Sequence, residues 1–194
     1  MIVRVLLGLL AVVAVGVAVV VGLRQASAGE ESETAKPFDL PGAQRHLADA
    51  PAPLAGVYRQ ANELLNGGPP AFRAQMRELR GHPVVINKWA SWCGPCRAEF
   101  PLLQEVATKR GKDVAFLGLN AKDTHQLALT FLRDEPLPFP SFEDPEERIA
   151  RAIETPPNFP VTAFFDRRGK LAFLHQGAYR TAADLEADID RYLR

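Results

Sequence analysis

The chain has 194 residues, enough for one domain and an appendage, and its 23 Lys+Arg balance 23 Asp+Glu to a formal net charge of zero. A net charge of zero gives no general reason to expect nucleic acid as a partner, since binding a phosphate backbone needs a basic surface. Hydrophobic residues make up 47% of the chain, part of them gathered in one segment at the start.

That segment, Val5 to Leu23 (VLLGLLAVVAVGVAVVVGL), carries no charge and is flanked by Arg4 and Arg24. As a helix rising about 1.5 Å per residue it reaches about 28 Å, close to the thickness of a bilayer's hydrocarbon core. A buried core helix of that length is seldom apolar on every face. Ala26-Ser27-Ala28 ahead of Gly29 resembles a signal-peptide cleavage site, but the apolar run is longer than a signal core usually is. Residues 1–24 are therefore expected to be an N-terminal transmembrane helix that stays attached, with a cleaved signal peptide and a secreted product as the alternative. So little chain precedes the span that the remainder is expected on the extracytoplasmic side of the cell membrane, where disulfides persist.

Residues 25–56 are expected to be a flexible linker: ASAGEESETAKP is small and acidic, and ADAPAPLAG is rich in Ala and Pro. The folded domain is placed at 57–194. It opens with VYRQANELLNGG, an amphipathic turn or two closed by Gly67-Gly68. After Pro69-Pro70, AFRAQMRELRG sets Phe72, Met76 and Leu79 at helical spacing, with Gly81 as a stop. PVVINKWA (83–90) reads as a strand. PCRAEFPLLQEVATKRG (95–111) reads as a helix with a kink at Pro101. VAFLGLN (114–120) is an apolar strand, and THQLALTFLRDE (124–135) a helix with Thr124 as a candidate cap.

LPFPSFEDP reads as irregular and PEERIARAI as a short helix. VTAFFD and LAFLHQ flank RRGK, a hairpin turn with Gly169. TAADLEADIDRYL closes the chain as a helix with Thr181 and Asp184 forming a capping box. Apolar strands alternating with helices indicate an α/β sheet covered on both faces, finished by an antiparallel hairpin and a helix.

The only two cysteines, Cys93 and Cys96, stand three apart in ASWCGPCRAEF. A zinc site would need a second pair or two close histidines, whereas His46, His82, His125 and His175 are scattered singly. Arg97 stands where haem attachment would need histidine. A structural staple over so short a loop would stabilise little. The pair lies between a strand and a helix, which puts Cys93 at a helix N-terminus where unpaired amides favour its thiolate. Cys96, one turn on, is placed to attack a mixed disulfide formed at Cys93. Pro95 suits the first helical turn. Redox activity is the expectation.

WASWCGPCRAEFP resembles the active-site segment of the thioredoxin superfamily and, with the apolar N-terminal segment, the exported TlpA/ResA-type thiol-disulfide oxidoreductases. The likeness runs from about Phe72 to the C-terminus. It implies a thioredoxin-like α/β fold with a central mixed sheet flanked by helices. It also implies a redox-active disulfide between Cys93 and Cys96 as the catalytic pair, with no cofactor and no metal. A client-docking surface is implied at Trp92, Gly94, Pro95, Phe159 and Pro160. Pro160, in NFPVTAFFD, holds the family's cis-proline position, and the backbone at Phe159 would pair with an extended client segment.

Two positions depart from cytoplasmic thioredoxins. Asn87 stands where those carry a buried aspartate tied to proton transfer at the second cysteine. Asp123 is then a candidate to exchange the Cys96 proton, or else a cap on the following helix. Lys88 is a charge in a strand expected to be buried, where it must either pair with a carboxylate or reach out to water. The stretch from Asp123 to Ile153 fits the extra helix that TlpA-type domains insert. The resemblance further implies electrons from a transmembrane carrier of the DsbD/CcdA type, and exported thiol proteins such as apocytochrome c as clients. Reduction of client disulfides is the expected direction. The alternatives are a disulfide-forming oxidase, a non-catalytic client-binding module and, more weakly, a Cu(I) chaperone, for which no Met or His stands beside the motif.

Overall fold

The structure, a computed structural model, describes residues 37–193. Both the expected anchor at 1–24 and the linker up to residue 36 lie outside them. Among the described residues no helix is long and apolar enough to cross a membrane.

A six-stranded mixed sheet organises the domain: β1 Leu64–Leu65, β2 Val84–Trp89, β3 Ala115–Ala121, β4 Ser141–Asp144, β5 Val161–Phe165 and β6 Leu171–Gln176. Their order across the sheet is β1-β4-β3-β2-β5-β6. The pairs β1/β4, β4/β3 and β3/β2 are parallel, and β2/β5 and β5/β6 antiparallel. Every residue of β2, β3 and β5 is buried, which is why these strands are mostly apolar rather than alternating, with Asn87, Lys88, Asn120 and Thr162 as the polar exceptions. The helices are α1 Leu40–Leu47, α2 Ala52–Tyr58, α3 Gly68–Glu78, α4 Gly94–Arg110, α5 His125–Asp134, α6 Arg148–Ala152 and α7 Ala182–Tyr192. The fold is the mixed sheet flanked by helices that the resemblance implied.

Caps form where the sequence places them. Thr124 accepts the Leu127 amide, and Thr181 accepts the Asp184 amide. Gly81 and Gly169 take positive φ, at +94° and +72°, just past α3 and in the β5–β6 turn. Trp89 sits edge-on to Phe100, with ring centroids 5.2 Å apart, and Phe100 packs 4.8 Å from Phe131. These rings clamp α4 and α5 to the C-terminal end of β2. A Cβ at Gly118 would run into the Ser141 hydroxyl, which receives the Trp89 indole N–H at 3.1 Å, so glycine is required there.

Three expectations need correcting. Residues 40–58, assigned largely to a linker, fold as α1 and α2, and the chain is compact from Phe38 onward. Leu47, Leu54 and Val57 are buried, and the buried Tyr58 hydroxyl donates to the Val114 carbonyl at 2.7 Å. Pro41 and Pro53 lie in the first turns of these helices, where proline fits. Leu64–Leu65, expected within helical turns, is an edge strand paired with Ser141–Phe142. The segment expected to be irregular supplies β4, which slots between β1 and β3. A four-residue strand flanked by prolines is too short to show a period.

If α2 belongs to the core, Leu54→Ala should cost about 2–4 kcal/mol of unfolding free energy by chemical denaturation. A loss below about 0.5 kcal/mol, as for an exposed residue, would restore the linker.

Candidate active site

β2 delivers the chain to one end of the sheet. There Ala90, Ser91 and Trp92 lead into Cys93, the N-cap of α4, whose Sγ accepts the Cys96 amide at 3.2 Å. Cys93 and Cys96 are joined as a disulfide, with Cα atoms 5.3 Å apart. Cys96 is 0% exposed and Cys93 4%, so a partner can reach the bond only from the Cys93 side. Gly94, Pro95, Arg97 and Ala98 face solvent around it. The helix N-terminus beneath offers orphan amides that stabilise negative charge on Cys93 once the bond opens. Pro101 lies inside α4, which continues through it to Arg110.

The residues expected to form the docking surface come together here, because β5 starts where β2 ends: Val161 pairs with Lys88. The Phe159–Pro160 peptide is cis, as the resemblance implied, and lies immediately before β5. Trp92 is 57% exposed, which makes it one of two large exposed apolar side chains among the described residues. Its ring meets Phe159 edge-on at 5.2 Å, and its indole N–H donates to the Lys122 carbonyl at 2.8 Å.

The Asp123 carboxylate makes no hydrogen bond to either cysteine. It accepts the Ser91 amide at 2.6 Å, the Ser91 hydroxyl at 2.9 Å, the Asn120 side-chain amide at 3.0 Å and the Thr124 amide at 2.9 Å. These contacts tie the loop after β3 to the residue just before Trp92. The cap on α5 is Thr124 instead.

A second carboxylate sits beneath the pair, one that sequence reasoning missed. Glu99 is buried on the face of α4 that carries Cys96, three residues on, where side chains of successive turns adjoin. It accepts from Asn87 Nδ2 at 2.8 Å and from the Tyr179 amide at 3.0 Å. Asn87 also donates to the Thr162 hydroxyl, while its own Oδ1 has no partner. Turning that amide over would offer Oδ1 to a protonated Glu99. The position where thioredoxins carry an aspartate thus holds an amide that orients a carboxylate supplied by the helix. The available signal was an acidic residue at core spacing between Cys96 and Leu103, both buried.

Residues 61–190 match the model of the Redoxin family. The chain belongs to that family. Among its relatives, ResA of Oceanobacillus iheyensis, named a thiol-disulfide oxidoreductase, is 30% identical over 105 residues, 54% of each chain. A DsbE homolog of Paracoccus denitrificans, named a thiol:disulfide interchange protein, is 35% identical over 130 residues, 64% of this chain and 69% of that one. A solved DsbE-type protein from Chlorobium tepidum superposes with a TM-score of 0.53 at 30% identity, covering 60% of this chain and 81% of its own. The redoxin spans about half the length of several curated relatives it matches, between 54% and 57%.

In this redoxin, burial raises the Glu99 carboxyl from its ordinary 4.5 to about 7, against the hydrogen bonds from Asn87 and Tyr179. An acid whose pKa is raised on folding stabilises the native state below its unfolded pKa and loses that contribution as pH rises through the folded value. The unfolding free energy of the oxidised chain minus that of Glu99→Gln should therefore fall between about pH 4.5 and pH 8, by up to about 3 kcal/mol. A difference that is flat with pH in paired denaturation curves would mean that Glu99 is not held protonated by the fold.

Proposed function

We propose that this redoxin is an exported, membrane-tethered thiol-disulfide oxidoreductase that reduces disulfides in exported proteins. The supporting observation is the arrangement at the head of α4: a disulfide sealed at Cys96 and reachable at Cys93, a buried Glu99 beneath it, and an aromatic rim of Trp92 and Phe159 above. Residues 1–24 are the proposed anchor and the stretch up to about residue 37 the tether, with the catalytic domain on the extracytoplasmic side.

The dithiol form begins the cycle. Cys93, deprotonated and stabilised by the helix amides, attacks one sulfur of a client disulfide, forming a mixed disulfide and releasing the other client sulfur as thiolate. Glu99, in its carboxylate form, takes the Cys96 proton, a transfer that its near-neutral pKa suits. The Cys96 thiolate then attacks Cys93 and releases the second client thiolate. Two electrons have passed to the client, and the chain is left with the Cys93–Cys96 disulfide. A membrane dithiol carrier of the DsbD/CcdA type would restore the dithiol, and apocytochrome c fits the class of client. Trp92, Gly94, Pro95, Phe159 and Pro160 form the docking surface, and Asp123 holds Ser91 rather than moving a proton.

Cys93→Ser should lower turnover of a protein disulfide to below about 1% of wild type, since the attacking sulfur is gone. Cys96→Ser should still attack and accumulate a mixed disulfide visible on non-reducing gels. Wild-type turnover by Cys93→Ser would refute the mechanism.

A further inference from the structure

The buried Lys88 marks a device that neither the cysteines nor Glu99 use. Its ammonium lies 4.4 Å over the centre of the Phe159 ring, donates to the Pro156 carbonyl, and pairs with Glu147 Oε1 at 3.4 Å. The other oxygen of the same carboxylate, Oε2, takes the Lys122 ammonium at 3.0 Å. Lys122 is also the residue whose carbonyl holds the Trp92 indole. The two aromatic walls above the cysteines are therefore each tied, through one lysine, to a single carboxylate.

We propose that Glu147 is a positioning residue that sets the spacing of the Trp92 and Phe159 walls and so governs how protein clients dock; this rests on the reductase reading above. Lys88 is 1% exposed, and a buried ammonium without a counter-charge is strongly disfavoured, so the Glu147 carboxylate is what allows Lys88 to lie under Phe159. Ring and ammonium then attract each other as a cation–π pair in a poorly solvated site.

Glu147 itself is held rather than free. Its backbone sits at φ +54°, ψ +32°, a region that side-chain-bearing residues avoid without support. The support is Asp144, whose carbonyl accepts the Glu147 amide at 2.9 Å. The Asp144 carboxylate accepts the amides of Ile149 and Ala150 at 3.0 and 2.8 Å, which fixes the turn into α6. The segment between β3 and β5 thus acts on docking from behind, through charge, without touching the client. A lysine within β2, out of place in an apolar strand, is the mark the device leaves in the sequence.

The test uses the full chain in detergent, with insulin as the protein disulfide and glutathione disulfide as a small one that needs no walls. For Glu147→Gln, which keeps shape and removes charge, KM for insulin should rise roughly three- to tenfold with kcat within about twofold. The rate of the reduced chain with glutathione disulfide should likewise stay within about twofold. Lys122→Met, whose side chain is half-exposed and whose loss leaves no buried charge, should raise the insulin KM in the same direction by a smaller factor. It decides the matter if Glu147→Gln does not fold. An unchanged insulin KM in the folded variants overturns the proposal, and so does an equal loss with insulin and glutathione disulfide, which would place the damage at the thiols. Failure of the wild-type chain to reduce insulin at all would instead remove the reductase reading, and the proposal with it.

Discussion

Charge must be made and unmade in a place that solvates it poorly. Cys96 and Glu99 are buried on the inner face of α4, and opening the disulfide puts a thiol and at least one transient negative charge among apolar side chains. The interior can accept this only by trading charge locally. In the proposed cycle the Glu99 carboxylate, with its pKa near 7, takes the proton as the thiol gives it up, so the total buried charge stays nearly constant. Asn87 keeps that carboxylate aimed without contributing a charge of its own.

β2 is what makes the trade possible. Its alternating side chains point to the two faces of the sheet, so consecutive polar residues serve two different sites. Asn87 faces α4 and orients Glu99, while Lys88 faces the other side and lies under Phe159. The strand is central, between β3 and β5, and rigid through the Trp89–Phe100–Phe131 cluster, so neither polar residue can drift. The antiparallel register of β2 with β5 brings Pro160 to the same end as Cys93. The loops after β3 and β4 close the site through Asp123 and Glu147.

What the sequence disclosed tracks the range of the interaction involved. The cysteine pair, Pro160, the caps at Thr124 and Thr181 and the turn at Gly169 are local signals, readable within a few residues, and all lie where expected. α1 and α2 were lost because Ala and Pro describe both a linker and a helix start, and only the burial of Leu47 and Leu54 separates the two. β4 was lost because it is defined by neighbours distant in the chain. Glu99 was passed over for Asp123, since a carboxylate's role depends on what it faces: Asp123 meets four donors, whereas Glu99 has the buried place beside Asn87. Lys88 was visible as an anomaly, but its partner Glu147, 59 residues away, was not.

The most direct measurement is the equilibrium reduction potential of the full chain in detergent, by alkylation in thiol redox buffers. A value near that of thioredoxin, about −270 mV, is the expected result for a dithiol that gives electrons to its clients. A value near about −120 mV, that of a strong disulfide donor, would contradict it and make the Cys93–Cys96 bond the reagent rather than the product.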